Sequence, residues 1–299
     1  MDLYGEFEDA ILKTPYWLTI NGVSSIQARF LRHIYRIIPP ILFPLKKEKA
    51  YLIIGYQKEK FFPYFHFNAD LKALWMFDAW DPLFHDIENT IRKFKINIVF
   101  FSSKQSAEHF GDLNIPYFQS HWIPEAVDVE RYEYAPYHKR TIDVLQLGRV
   151  WGAYHNQIKS IEPDLVYKYE KFPGQLIFPS RHDFIHGLAN SKISICVPSS
   201  ITHPNRSGSI STMTSRYLQS MASKCLILGK MPYDMSFLFN YCPIVEIDED
   251  NPVKQIQSIL KNFDDYIPLI EKNYSEVRKF HNWSNRISDI ENAIRNYKK

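Results

Sequence analysis

Arginine, serine and glycine crowd one short stretch, Arg206-Ser207-Gly208-Ser209, with Ser211 and Thr212 just beyond it and Arg216 a helical turn further on. The apolar run Ile193-Ser194-Ile195-Cys196-Val197 precedes it and reads as a buried strand. A helical pattern runs from about Thr212 to Ala222, with Met213, Tyr217, Leu218 and Met221 on one face and Gln219 between them. Cys225–Gly229 then reads as another strand. A strand feeding a small-residue loop that opens a helix is suited to anions, because free N–H groups and the helix dipole converge there. Arg206 and Arg216 would add positive charge. An ordinary strand–helix–strand connection with a serine-rich cap accounts for the same pattern.

Other polar residues fall at predicted strand ends. Gly148-Arg149 closes the run Ile142–Leu147, and Pro179-Ser180-Arg181 closes Gln175–Phe178. Asp78 and Asp81 follow Ala73–Phe77, and Ser102-Ser103 follow Ile96–Phe101. A carboxylate such as Asp78 could take a proton from a hydroxyl or orient it. Capping of the helix near Phe84 explains Asp78 and Asp81 as well. No Asp-x-Asp stands at a strand end, and no His, Cys and carboxylate cluster has ligand spacing, so no metal is expected.

The elements that must position these groups alternate. Strands are predicted at Tyr51–Tyr56, Ala73–Phe77, Ile96–Phe101, from Pro116, and again at Ile142–Leu147, Gln175–Phe178, Ile193–Val197, Cys225–Leu228 and Pro243–Ile247. Helices are predicted at Ser24–Ile37, Phe84–Phe94, Ser103–Phe110, Phe184–Ala189, Val253–Asn262, Tyr266–His281 and Trp283–Tyr297. Such alternation implies parallel, doubly wound sheets, whose ligands bind at the carboxyl ends of strands. The charged, Tyr- and Pro-bearing segment Val129–Lys139 reads as a link between two domains.

With 299 residues, the chain is comfortable for two domains. A net charge of +3 gives no ground for a nucleic-acid partner. Cys196, Cys225 and Cys242 lie in or beside apolar runs and read as reduced thiols of a cytoplasmic protein. The first residues lack the basic-then-apolar pattern of a signal peptide, and no apolar run is long enough to span a bilayer. Arg29, Arg32, Arg36 and Lys46-Lys47 flank apolar residues, which suits peripheral contact with an anionic membrane face; a core helix with a solvated basic side suits it too.

Three motifs carry a family resemblance. Pro124-Glu125-Ala126-Val127-Asp128 is similar to a "P-x-G-V-D" link, Asp143–Arg149 to a strand closed by Gly-Arg, and Leu218–Lys224 to "L-E-A-M-A-x-G". In this order they resemble the GT-B glycosyltransferases, especially retaining glycosyltransferase family 4 (glycosyl transferases group 1). The match covers roughly residues 120–299; before that it is architectural. The resemblance implies an α/β GT-B fold, two Rossmann-like domains facing a cleft with a C-terminal helical tail. Residues 1–125 would bind the acceptor, and residues 126–299 the nucleotide-sugar donor, with the last helix returning to the first domain. It implies a metal-independent, hexosyltransferase-like enzyme of polysaccharide biosynthesis, with no cofactor, a nucleotide-diphosphate sugar as co-substrate and a glycan or lipid-linked acceptor. Donor contacts would come from Gly148, Arg149, Arg181, Ser207, Gly208, Ser209, Ser211, Thr212, Arg216 and Gln219, and Asp78 would be the acid–base candidate. Two departures stand out. Gln219 and Ser211 replace the glutamates of the family's E-x7-E, and no lysine follows Gly148-Arg149. A catalytically degenerate binding protein and a sugar-nucleotide epimerase are the alternatives.

Overall fold

The computed structural model describes residues 3–15, 17, 48–54, 69–148, 150–161, 164–172 and 174–297. The predicted helix Ser24–Ile37, the basic region Arg29–Lys47 and Arg149 lie outside the described residues. The chain divides into two compact units. One comprises Phe7–Pro124 and Ile287–Lys299, the other Met1–Glu6 and Glu125–Arg286. Helix α1 (Leu3–Leu12) contributes residues to both.

In the first unit, strands β1 (Glu48–Ile54) and β2 (Ala69–Met76) are followed by helix α2 (Phe84–Phe94), β3 (Ile98–Phe101), α3 (Lys104–Gly111) and β4 (Gln119–Trp122). The four strands pair in parallel in chain order. β3 is wholly buried, which is why its four residues are all apolar, Ile-Val-Phe-Phe. One face of the sheet packs Leu74, Met76, Val99 and Phe101 on Ile87, Ile91 and Phe110. Burying each such side chain contributes roughly 1.5–3 kcal/mol. Helix α2 stops at Lys95, whose φ of 50° is left-handed and whose N–H returns to the Ile91 carbonyl. Helix α3 starts where Ser103 accepts from the Ser106 N–H, the cap expected from the serine pair.

The second unit holds β5 (Ile142–Gln146), α4 (Gly152–Ile158), β6 (Tyr167–Tyr169), α5 (Arg181–Ala189), β7 (Ser191–Cys196), α6 (Ser215–Ala222), β8 (Leu226–Gly229), β9 (Val245–Glu246), α7 (Pro252–Lys261) and α8 (Ile267–Phe280). Helix α9 (Trp283–Asn296) begins here and ends among the first unit's residues. The strand order is β6-β5-β7-β8-β9, all parallel. The chain goes outward from β5 to β6 and then back across to β7. The reversal makes a switch point between β5 and β7, the crevice where open α/β sheets take ligands. Alternating strand residues feed two cores. Leu145, Leu188, Met213, Tyr217 and Met221 share one, and Val144, Ile193, Ile195, Ile158 and Ile256 share the other.

Two local expectations fail. Gln175–Phe178 is loop, not strand, and the strand beside β5 is the short Tyr167–Tyr169. The apolar run is half exposed: Leu176 is exposed while Phe178 lies over Gly187 and Ile177 packs on the core from outside the sheet. Helix α6 starts at Ser215 rather than Thr212, because two carboxylates hold the preceding residues extended, as described next.

Candidate functional site

The carboxyl end of β5 opens the site in the second unit. Gly148 has φ of 67°, a left-handed backbone that favours glycine. The same glycine lets the Arg216 guanidinium lie against the backbone, since a Cβ there would stand 3.2 Å from Nη1. Nη1 donates to the Leu147 carbonyl at 2.8 Å. Arg216 is half-buried and has no carboxylate partner among the described residues. Arg140 makes the contrast at the opposite, amino end of β5. It is buried and donates to the carbonyls of Ser191, Lys224, Ser223 and Ala135, a framework strut with its hydrogen-bonding capacity used.

The loop after β7 is more internally engaged than its composition suggests. Pro204–Ser207 is a single helical turn, and the Ser207 hydroxyl, buried, donates to the His203 carbonyl at 3.1 Å. Gly208, φ 58°, closes that turn with its N–H on the Pro204 carbonyl. Ser209 is exposed. Ser211 accepts the Tyr233 N–H on both its carbonyl and hydroxyl oxygens, at 3.1 and 3.3 Å. Thr212 donates to Asp234 Oδ2 at 2.6 Å, and the Met213 N–H donates to Asp234 Oδ1 at 2.7 Å. Burial pushes Asp234 up to about 6, against the pull of these hydrogen bonds. Glu125, from the motif preceding β5, accepts the Ser215 N–H on Oε2 at 2.5 Å and is buried. Two N–H groups at the mouth of α6 are thus already satisfied by the protein's own carboxylates.

Gln219, one turn along α6, is buried beside the Tyr132 phenol. That phenol donates to Glu6 Oε1 at 2.8 Å, and burial, then the Glu6 charge, hold it protonated well above the ordinary range. Glu6 also takes Arg181 Nη2 at 2.8 Å and the Asp128 N–H at 2.9 Å. Because Tyr132 gives its one proton to a carboxylate, its oxygen can only accept from the neighbouring Gln219 amide. Gln219 Oε1 is buried and without a partner among the described residues.

In the first unit, Asp78 stands just past the carboxyl end of β2, exposed, with φ of 52°. Asp tolerates this region better than most residues, yet it is uncommon for any non-glycine. The N-cap positions ahead of α2 are Trp80 and Leu83, and neither makes a side-chain capping bond.

The structure therefore brings Gly148 and Arg216 together at the switch point and links Thr212 and Ser211 to the 232–235 segment. It joins Gln219 and Arg181 to Glu6 and Tyr132. Glu125, Asp234, Tyr132 and Glu6 were not legible as site residues. Glu125 had a signal, an acid inside the Pro124–Asp128 motif ahead of β5; Glu6 had none, lying 175 residues from Arg181. No group of three or more His, Cys, Asp or Glu among the described residues could hold a metal ion. No helix among them is long and apolar enough to cross a membrane.

Two parallel α/β sheets with C-terminal helices define the GT-B fold, the architecture of many glycosyltransferases. Similar solved structures include HepE from Anabaena in complex with UDP and glucose, at 10% identity and a TM-score of 0.60 over 82% of this chain and 77% of that one. Sucrose-phosphate synthase from Thermosynechococcus elongatus gives 11% identity and a TM-score of 0.55 over 90% and 76%. A UDP-forming α,α-trehalose-phosphate synthase from Burkholderia vietnamiensis gives 8% and 0.55 over 91% and 74%. At these identities the likeness is one of fold. No protein-family profile and no curated protein matches the sequence.

Proposed function

We propose that this chain is a glycosyltransferase that moves a sugar from a nucleotide-diphosphate sugar to a glycan or lipid-linked glycan acceptor. The observation that carries the reading is Arg216. A half-buried guanidinium without a carboxylate partner among the described residues, pinned by a strand-end carbonyl over a left-handed glycine, is arranged to receive a phosphate. It stands at the sheet's switch point, where such folds take nucleotides. In this reading Arg216 supplies the charge of the lysine absent after Gly148-Arg149. The acceptor belongs to the first unit, where Asp78 orients or deprotonates its hydroxyl. The reaction draws its phosphate-stabilising charge from arginine and needs no divalent metal. Gln219 is proposed as a ribose contact, its amide standing where the family has a glutamate. The surface-polysaccharide role and contact of Arg29–Lys47 with an anionic membrane face belong to the same proposal.

A second reading is a degenerate, non-catalytic binding protein. Gln219 Oε1 is covered, and the Met213 and Ser215 N–H groups are occupied, which favours it. Incubation with labelled nucleotide sugars separates the two. Release of free nucleotide supports a transferase, tight binding without turnover supports the second reading, and an altered sugar still attached to nucleotide would indicate an epimerase. Turnover abolished by EDTA and restored by Mn²⁺ would refute the metal-independent mechanism.

A further inference from the structure

We propose that Arg181, Tyr132 and the Asp128 N–H form a carboxylate-binding pocket in the second unit, and that Glu6 is its tethered ligand. Three donors converge on the one carboxyl group. Its Oε1 takes Arg181 Nη2 at 2.8 Å and the Tyr132 hydroxyl at 2.8 Å, and its Oε2 takes the Asp128 N–H at 2.9 Å. Glu6 is 1% exposed, so the donors enclose it. A guanidinium, a phenol and a main-chain amide closing on both oxygens form a site that a free carboxylate would also fit.

The walls of the pocket are anchored by contacts that do not involve Glu6. Arg181 is the first residue of α5, whose start is fixed by Ser180 accepting the Asp183 N–H at 3.0 Å. The Tyr132 N–H donates to the Val129 carbonyl at 3.0 Å. Asp128 is held by Arg131, whose Nε donates to its carboxylate at 2.7 Å, and the adjoining Val127 N–H donates to the His281 carbonyl at 3.1 Å. Glu6 comes from elsewhere in the chain, on α1, 122 residues before Asp128 and 175 before Arg181. A tethered acid is presented at a high effective concentration, so free carboxylates do not displace it. The start of α1 is thereby latched by anion recognition, and the vacated pocket would take a small monocarboxylate. Neither the pocket nor its test depends on the nucleotide reading.

The test is rescue of full-length Glu6→Ala by acetate, which replaces the CH₂ and carboxyl that the substitution deletes. Thermal melts of wild type, Glu6→Ala and Glu6→Ala/Arg181→Ala are run against sodium acetate, with ionic strength held constant by chloride. Acetamide, of the same shape without the charge, is the control. Glu6→Ala should melt below wild type and regain about 2–4 °C in a saturable acetate dependence. Acetamide should leave it unmoved, and acetate should move neither wild type nor the double variant. A Glu6→Ala that ignores acetate would overturn the proposal, and so would an equal response in wild type or in the double variant. If Glu6→Ala melts too low to follow, its refolding yield from urea reads the same rescue. That yield should be higher in acetate than in chloride, and equal yields would overturn the proposal.

Discussion

Asp234 is a buried carboxylate in a place where an amide would serve, and Asp234→Asn should stabilise the protein near neutral pH. Its two oxygens accept the Met213 N–H and the Thr212 hydroxyl proton. An asparagine can keep its Oδ1 on the Met213 N–H and turn its Nδ2 toward the threonine oxygen, which accepts as readily as it donates. What the substitution removes is a charge held at 1% exposure. Burial raises the acid from an ordinary 3.8 to about 6, which corresponds to about 3 kcal/mol. A folded value above the unfolded one favours the protonated form in the native state. The contribution is therefore fully present below about pH 4 and lost as the pH rises through about 6. Wild type and variant should have similar stability near pH 4, where the protonated acid mimics the amide. Toward pH 7 the variant should gain on wild type by up to about 3 kcal/mol. Urea unfolding of both proteins at intervals across this range measures the difference, in which other titrating groups cancel. A difference that is flat with pH, or a variant less stable than wild type at pH 7, would refute this account of the clamp.

Three further outcomes follow from packing and hydrogen bonding. Gly229→Ala should cost roughly 3 kcal/mol or more in urea unfolding, because its Cβ would stand 1.9 Å from the Cys196 backbone carbonyl of the neighbouring strand. Gln219→Glu, the family's own residue, should lower the thermal transition by several degrees, since a second carboxylate would share the Tyr132 phenol with buried Glu6; a variant as stable as wild type would contradict the network. Tyr297→Phe should cost about 1 kcal/mol and speed amide exchange at the end of α9, because the hydroxyl accepts from Asn97 at 3.0 Å and donates to the Tyr117 carbonyl at 2.7 Å.

Where burial and periodicity agree, the sequence is a good guide. Phe84–Phe94 matches its helix end to end, and the Ser103 cap is where the serine pair suggests. β5, β7 and β8 each lie within a residue or two of their apolar runs, since strands buried on both faces have little choice of composition. Gln175–Phe178 misled because an apolar run says nothing about whether a ladder partner exists, and β6 had already paired with β5. Of the candidate site, the meeting of positive charge and glycine, Arg216 and Gly148, was legible because strand ends and helix starts can be placed from local pattern. Its acids were not. Glu6, Glu125 and Asp234 act through long-range contacts, and only the folded chain shows that the loop's N–H groups are already taken.

Arg216 is proposed to hold a nucleotide phosphate at the switch point between β5 and β7. Calorimetric titration of UDP, GDP, ADP and CMP into wild type and Arg216→Ala tests it directly. A charge-assisted hydrogen bond contributes roughly 1.5–3 kcal/mol, so the tightest-binding nucleotide should weaken by about ten- to a hundredfold in the variant. Arg216→Ala should remain folded, since the residue is only half-buried and its bond to the Leu147 carbonyl is one neutral acceptor at a strand end. An affinity unchanged in the folded variant would contradict the claim and place the site elsewhere.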